Sequence, residues 1–202
     1  MARGVIVVDV QYDFVEGGSL AVTGGTRVAE AIAEHLEASR GRYDAVAFTQ
    51  DWHIDPGEHF AAEGAAPDFT ATWPHHCVAG TRGAEVHEAL SGALADPELS
   101  PVRFHKGEHT AAYSGFEGHR VDSDESLADW LRSRGVTEVD VVGLATDHCV
   151  RATALDAVAE GFDTTVLLDL CAGVAPESTA AALDEMAAAG VRLVDHADQG
   201  AR

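Results

Sequence analysis

The feature that most restricts the fold of this chain is a regular alternation of strand-like and helix-like segments. Short runs rich in β-branched residues, the composition of strands buried in a parallel sheet, lie at 4–10, 45–50, 101–105, 139–145, 164–170 and 191–194. Segments compatible with helices separate them, at 26–39, 85–94, 126–134, 150–159 and 176–189. The alternation predicts a mainly parallel sheet covered by helices on both faces, a three-layer α/β/α sandwich.

A single domain is expected over residues 1–202, because no linker, repeat or low-complexity segment interrupts the alternation. The hydrophobic fraction of 46% is enough for a core of its own. No apolar run reaches about 18 residues, the length that a membrane span needs. The first strand also begins too close to Met1 for a signal peptide, so we expect a cytoplasmic protein without membrane association.

The charge and the cysteines narrow the class of partner. Acidic residues outnumber basic ones by 34 to 13, and the resulting net charge of −21 repels nucleic acid and anionic lipid surfaces. The three cysteines, Cys77, Cys149 and Cys171, are odd in number and widely spaced. That pattern fits neither a disulfide framework nor a four-cysteine zinc site, and indicates a reducing compartment.

Reactive side chains follow the ends of several predicted strands. Asp9, Asp51 with His53, Lys106 and Cys149 each come at or after the carboxyl end of a different strand. In open α/β sheets the carboxyl ends of the strands meet at one edge, where functional sites lie. We therefore expect these groups to converge on one site.

Cys149 lies in the polar turn 143–151, between a predicted strand and a predicted helix. Free N–H groups at such a helix start favour a thiolate and can bind an oxyanion. A small buried cysteine without chemical function is the alternative, although the neighbouring Asp147, His148 and Arg151 argue against an apolar setting. The position therefore suits a nucleophile.

A nucleophilic thiol needs a base to take its proton, and a nearby cation lowers its pKa. Asp9 and Lys106 are candidates for these two roles, although each could instead belong to a structural ion pair. Together with Cys149 they predict acyl transfer from an amide or related carbonyl compound to sulfur, followed by hydrolysis.

A possible metal site lies in the segment that follows the second predicted strand. Asp51 and His53 are two residues apart. Four of the eleven histidines lie between positions 53 and 76, namely His53, His59, His75 and His76. Imidazoles with one carboxylate suit a divalent first-row metal such as zinc, iron or manganese. Ordered loops of this length are usually functional.

These residues belong to a series of motifs in a fixed order along nearly the whole chain. The motifs are Val8-Asp9-Val10-Gln11-x-Asp13-Phe14, Gly17-Gly18-Ser19-Leu20, Asp51-x-His53-x-Asp55-x-Gly57-x-His59-Phe60, Trp73-Pro74-x-His76-Cys77, Lys106-Gly107, Tyr113-Ser114-Gly115-Phe116 and Ala145-Thr146-Asp147-His148-Cys149-Val150. Through them the sequence resembles the nicotinamidase/pyrazinamidase enzymes of the isochorismatase-like cysteine hydrolase superfamily.

The resemblance implies a catalytic group in which Asp9 is the general base, Lys106 is the stabilising cation and Cys149 is the nucleophile. It implies a cis peptide bond before Thr146, and backbone N–H groups of Ala145 and Cys149 that hold the oxyanion. The implied reaction is hydrolysis of nicotinamide, and also of pyrazinamide, to the acid and ammonia through a thioester, in NAD salvage.

The resemblance also implies one divalent metal, either zinc, iron or manganese, that takes the ring nitrogen of the substrate. Its expected ligands are Asp51, His53, His59 and His76. Phe14 and Trp73 are expected to enclose the pyridine ring, with Tyr113 nearby. Two positions depart from the family pattern, since His109 replaces a tyrosine and Tyr12 an asparagine, and both could alter ring selectivity.

Two other functions stay open at this point. The chain could hydrolyse a different small amide or a carbamoyl compound, although the metal ligand set argues for a pyridine substrate. It could instead be an inactive metal-binding or partner-binding protein, which the presence of Asp9, Lys106 and Cys149 together disfavours. The sequence is compatible with a monomer or a homo-oligomer.

Overall fold

The computed structural model describes residues 1–195, and one sheet of seven strands runs through this part of the chain. The strands are β1 (Ala2–Val8), β2 (Ala45–Asp51), β3 (Val102–Lys106), β4 (His119–Arg120), β5 (Val136–Leu144), β6 (Asp163–Ala172) and β7 (Arg192–Val194). Their order is β4-β3-β2-β1-β5-β6-β7. Neighbouring strands are parallel except for β3 and β4.

Helices cover both faces of the sheet, which confirms the predicted three-layer α/β/α sandwich. They are α1 (Gly25–Ala38), α2 (Ser91–Ala95), α3 (Leu127–Ser133), α4 (Arg151–Ala159) and α5 (Pro176–Ala188). The first two pack on one face and the other three on the opposite face. None of the helices within residues 1–195 combines the length and apolar character that crossing a membrane requires.

The sequence of β1 explains why the sheet has two cores. Side chains alternate between the faces of a strand, so Val5 and Val7 join the core beneath α1, whereas Ile6 and Val8 join the core beneath α3 to α5. All four are fully buried. A strand that is apolar on both faces therefore lies in the middle of the sheet, between β2 and β5.

The structure differs from the sequence prediction in three elements. The predicted first strand, 4–10, ends at Val8, because Asp9 turns out of the sheet with a φ of 50°. The predicted helix 85–94 is a 3-10 turn, Glu88–Leu90, followed by the five residues of α2. The strand β4 was not predicted, since two residues carry no periodic signal.

The domain prediction, residues 1–202, stays a prediction. Its last seven positions, 196–202, lie outside the described residues. In the described part of the chain, the connection between β2 and β3 starts at the carboxyl edge of the sheet. Isolated bridges there pair His53 with Val78 and Phe60 with Trp73. This long connection encloses the site described next.

Candidate active site

The carboxyl ends of four adjacent strands bring the predicted reactive groups together. Asp9 directly follows β1, Asp51 is the last residue of β2, and Lys106 is the last residue of β3. Cys149 lies in a π-type turn, Thr146–Val150, that follows β5. Because β3, β2, β1 and β5 are neighbours in this order, all four side chains meet at one edge.

Lys106 is the centre of this group. Its Nζ lies 2.9 Å from Asp9 Oδ2, 2.5 Å from Asp51 Oδ1 and 3.6 Å from Cys149 Sγ, and it donates a further hydrogen bond to Ala112 O at 3.2 Å. The side chain is 1% exposed. Burial alone lowers the pKa of Lys106, but the two carboxylates raise it well above its usual value, so the ammonium is charged.

The two carboxylates beside Lys106 differ in their electrostatics. Burial raises the pKa of Asp9, and the neighbouring Asp51 adds to this, more than Lys106 lowers it. Burial also acts to raise the pKa of Asp51, but Lys106, His53 and His76 hold the net value below its usual range. Asp9 is therefore the better proton acceptor, while Asp51 is the more permanent anion.

Asp9 is held so that one of its oxygens stays open. Thr49 Oγ1 donates to Asp9 Oδ1 at 2.7 Å, and the backbone N–H of Asp9 donates to Thr49 O at 3.2 Å. Asp9 Oδ2 contacts Lys106 as an ion pair and has no aligned hydrogen-bond donor within the described residues. This oxygen is free to accept the proton of the Cys149 thiol, because a carboxylate oxygen of Asp9 lies within 4.8 Å of the Cys149 sulfur.

The thiolate expected at the start of the helix is not the resting form of Cys149. Burial raises the pKa of the thiol well above its usual value; Lys106 acts to lower it, and Asp9 and Asp51 act to raise it. Burial of the thiol and the second carboxylate, Asp51, could not be read from the turn, the cation and the base Asp9 alone. The thiol is therefore protonated until a base removes its proton.

Beside this group lies a cluster of three buried histidines, His53, His59 and His76. Their ligand nitrogens are within 4.8 Å of one another. Asp51 Oδ2 lies 3.8 Å from His53 Nε2 and 3.9 Å from His76 Nε2. Burial, together with the two other imidazoles, lowers the pKa of His59 to about 4, and burial lowers that of His76. Both rings are therefore neutral and can offer a nitrogen lone pair to a metal ion.

The hydrogen bonds of these rings fit a metal ion. His53 Nδ1 donates to Gly107 O at 2.6 Å, and His76 Nδ1 donates to Pro74 O at 2.8 Å. These bonds leave the Nε2 lone pairs free, as carbonyl-bound histidine ligands do. His53 Nε2 is buried without any hydrogen-bond partner in the described chain. A divalent metal among three imidazoles and the Asp51 carboxylate would satisfy that nitrogen.

A second set of possible ligand atoms, from Asp9, Asp51 and Cys149, is also close together. Lys106 Nζ already contacts each member of this set, at 2.9, 2.5 and 3.6 Å. The ammonium is therefore the cation of that set. Of the two sets of possible ligand atoms, the histidine cluster is therefore the better site for a metal ion.

Two residues that the sequence analysis did not assign hold the ligands in place. Gln11 is fully buried, accepts the backbone N–H of Asp51 at 2.9 Å and donates to Asp51 O at 2.8 Å. Asp13 accepts the backbone N–H of Cys77, directly after His76, at 2.8 Å. Their place in the polar motif that follows the first buried strand was the signal for both.

A glycine is required beside the metal centre. Gly107 has a φ of +73°, and a Cβ at this position would lie 2.7 Å from His53 Cε1. A side chain would therefore displace the ring of a proposed ligand as well as strain the backbone.

A pocket of about 460 Å³, measured with its open mouth, lies over Cys149 and the histidines. Phe14 and Trp73, 8% and 5% exposed, line it together with Tyr113. Trp73 Nε1 donates to the Tyr113 hydroxyl at 3.0 Å, which fixes the two rings relative to each other. The pocket is mostly apolar and is lined by Cys149 and by two members of the histidine cluster, His59 and His76.

His148 was not assigned from the sequence and also lines the pocket. Its ring contacts Trp73 edge-on at 5.3 Å and stacks on Tyr113 at 6.3 Å between centroids. Tyr12 and His109 are not among the lining residues. Tyr12 instead donates to Glu88 at 3.0 Å on the surface, so these two departures from the family pattern do not shape the pocket directly.

The cis peptide bond lies one residue earlier than expected. It joins Leu144 and Ala145, and not Ala145 and Thr146, so the bond stands at the end of β5. Ala145 and Cys149, the predicted oxyanion donors, both line the pocket. The other two cysteines, Cys77 and Cys171, are unpaired and lie outside the pocket lining.

The chain is similar to known proteins in sequence and in fold. Residues 3–198 match the isochorismatase domain family. The nicotinamidase/pyrazinamidase of Mycobacterium tuberculosis is 54% identical over 193 residues, which cover 95% of this chain and 98% of that protein.

Two solved structures superimpose over almost the full length. A crystal structure of the pyrazinamidase of Pyrococcus horikoshii in complex with zinc gives a TM-score of 0.78 at 36% identity, and covers 96% of this chain and 99% of that one. A crystal structure of PnC1 from L. infantum in complex with nicotinate gives a TM-score of 0.80 at 33% identity, with 97% and 93% covered.

Proposed function

The chain belongs to the isochorismatase domain family, and from this premise we propose that it is a metal-dependent cysteine amidase that hydrolyses nicotinamide to nicotinate and ammonia. The observation that carries the proposal is the buried Lys106 ammonium, which contacts Asp9, Asp51 and Cys149 beside a cluster of three histidines and a pocket lined by aromatic side chains. The names of the similar proteins, nicotinamidase and pyrazinamidase, support the same reaction.

The first half of the reaction makes a thioester. Asp9 takes the thiol proton as Cys149 sulfur attacks the carboxamide carbon, and the carbonyl electron pair moves to oxygen. The raised pKa of Asp9 makes it an adequate base for a thiol that is itself protonated at rest. The backbone N–H groups of Ala145 and Cys149 are assigned to the oxyanion; losing one such donor typically costs about 3–4 kcal/mol.

The second half releases both products. Collapse of the tetrahedral intermediate breaks the carbon–nitrogen bond and leaves the thioester. The leaving nitrogen takes the proton from Asp9 and departs as ammonia. Asp9 then accepts a proton from a water molecule that attacks the thioester carbon. The carbon–sulfur bond breaks, the thiolate regains its proton from Asp9, and the nicotinic acid that forms loses its proton to solvent and leaves as nicotinate. Lys106 remains charged throughout and balances the anions on either side.

Asp51, His53, His59 and His76 are assigned as ligands of one divalent metal, for which zinc, iron and manganese are the candidates. Bound there, the metal would supply a Lewis acid for the ring nitrogen of the substrate. Phe14 and Trp73 are assigned as the walls that hold the ring, with Tyr113 at its edge. These contacts direct the carboxamide toward Cys149 and account for a preference for pyridine and pyrazine carboxamides.

The broader setting is proposed from the same assignments. Nicotinamide hydrolysis places the protein in NAD salvage, and we propose a cytoplasmic enzyme built as a single domain over residues 1–202. The net charge of −21 disfavours nucleic acid and anionic membranes as partners. A monomer and a homo-oligomer are both compatible with a site that one chain provides.

Ammonia release from nicotinamide by metal-replete protein tests the function. Wild-type protein should release ammonia, and Cys149→Ala should not, while keeping its metal because the thiol is not a proposed ligand. Cys171→Ala is the matched control, since this second thiol lies on β6 and outside the pocket, and its activity should equal that of the wild type.

Removal of the metal with a chelator should abolish release, and its return should restore it. No release from metal-replete wild-type protein would overturn the nicotinamidase proposal and direct the search to other small amides and carbamoyl compounds. Loss of metal from Cys149→Ala would contradict the assigned ligand set.

A further inference from the structure

The turn that carries Cys149 is tied to a second segment through Asp147, a residue that the proposed mechanism does not use. Asp147 is 4% exposed, and both of its carboxylate oxygens accept hydrogen bonds. Val174 N–H donates to Oδ1 at 2.9 Å, while Ala175 N–H at 3.3 Å and Ser178 Oγ at 2.5 Å donate to Oδ2. All three donors lie in the connection between β6 and α5 or in the first turn of α5.

Asp147 is ionised and acts as a cap for α5. Burial would raise its pKa, but the hydrogen bonds from Ser178 and Val174 hold the pKa below its usual value. Ala175 is the residue before α5, and Pro176, the first residue of the helix, has no N–H of its own. A negative charge at this end is stabilised by the helix dipole. The π turn and the start of α5 are thus joined as one unit.

The segment that Asp147 holds forms part of the pocket. Val174 lines the pocket together with Ala145 and Cys149, although 50% of its surface is exposed at the mouth. The preceding Gly173 has no room for a side chain, since a Cβ would lie 1.9 Å from Thr179 Oγ1. Asp147 on one side and α5 on the other therefore fix where the Val174 side chain stands.

We propose that Val174 limits the ring that the pocket accepts, and that Asp147 is a positioning residue that acts through Val174. The inference rests on the proposed function and deepens it, because it defines which ring-substituted carboxamides the site rejects. Rings that carry an additional substituent toward Val174 are excluded by its side chain.

The test compares nicotinamide with its four methylnicotinamides, substituted at ring positions 2, 4, 5 and 6. The quantity measured is the kcat/KM of each relative to that of nicotinamide, for wild-type protein, Val174→Ala, Asp147→Asn and the double variant. Asp184→Asn is the matched control, because this carboxylate is on the same helix α5 and is exposed.

Val174→Ala should raise the relative kcat/KM of at least one methylnicotinamide by about 10-fold, the effect of one or two methyl groups in an apolar pocket. Asp147→Asn should raise the relative value for the same ring position, through KM more than kcat. The double variant should match Val174→Ala alone, because residues that act through one contact have non-additive effects. Asp184→Asn should leave every ratio unchanged.

The inference fails if Asp147→Asn changes the ratio at a different ring position, changes none, or multiplies the effect of Val174→Ala in the double variant. If Asp147→Asn does not fold, Ser178→Ala removes one of the three donors, and it should produce a smaller shift at the same ring position; no shift there would refute the inference as well. Wild-type protein that does not hydrolyse nicotinamide refutes the proposed function itself, whereas normal turnover with unchanged ratios refutes only the role of Asp147 and Val174.

Discussion

Replacing Lys106 by methionine isolates the electrostatics of the site, because methionine has a similar length and no charge. In the variant, Asp9 and Asp51 face each other in a buried site without the ammonium that now lies 2.9 and 2.5 Å from them. Removing one partner from a buried charge cluster costs about 3–5 kcal/mol. We therefore expect the free energy of unfolding at pH 8 to fall by about this amount in Lys106→Met.

The pH dependence of this loss is the sharper part of the prediction. Without Lys106, the folded-state pKa of Asp9, which burial already raises, rises further above its unfolded value of about 3.9. A group of that kind contributes stability at low pH that is lost as the pH rises through the folded pKa. The difference in unfolding free energy between wild type and variant should therefore shrink between pH 8 and pH 5. The change is up to about 1.4 kcal/mol for each pH unit over which the folded state binds the proton and the unfolded state does not.

The assay is urea unfolding followed by tryptophan fluorescence, which reports on the buried Trp73 and Trp130. A chelator is present throughout, so that metal binding at Asp51 does not contribute. Arg151→Met is the control, because its ion pair with Glu185 at 2.8 Å is exposed and should contribute only about 0–1 kcal/mol at any pH. A Lys106→Met deficit that is below 1 kcal/mol, or equal at pH 5 and pH 8, would refute the reasoning.

The remaining predictions concern the histidine cluster. His76→Ala should lower metal content and activity together, by about 10- to 100-fold or more, since loss of a residue that only supports a ligand already has an effect of this size. His75→Ala, at the exposed neighbouring position, should keep both. Full metal occupancy in His76→Ala would exclude His76 as a ligand. Metal-free protein should lose stability as the pH falls from about 6.5 toward 4, because burial and the other imidazoles hold the pKa of His59 at about 4 and the neutral ring is favoured only in the folded state. His59→Asn should show a smaller loss over this interval in chelator-treated urea titrations at several pH values, and an equal loss would assign the effect elsewhere.

The fold was predictable because buried strands of a parallel sheet need apolar residues on both faces. The run from Val5 to Val8 by itself meets that requirement, and the other predicted strands have the same apolar composition. Element ends were less certain, as the short α2 and the two-residue β4 illustrate. Neither contains enough residues to repeat the period of its pattern.

The site was predictable in position, because the end of a parallel strand determines the edge of the sheet to which the next residue belongs. Asp9, Asp51 and Lys106 needed no other information than their places after three predicted strands. His76 and not His75 could be selected only through the resemblance, since adjacent residues in a loop have no periodicity. In the structure, His76 is buried and His75 is exposed.

The sequence by itself determined the sheet, its functional edge and the types of side chain that meet there, since these follow from local periodicity and chain order. Only the tertiary structure decided that the Cys149 thiol is protonated at rest, because its pKa depends on burial and on carboxylates that arrive from β1 and β2. The same is true of Gln11 and Asp147, whose hydrogen bonds join segments far apart in sequence. Pairwise distances across the fold set these energies, and no local pattern encodes them.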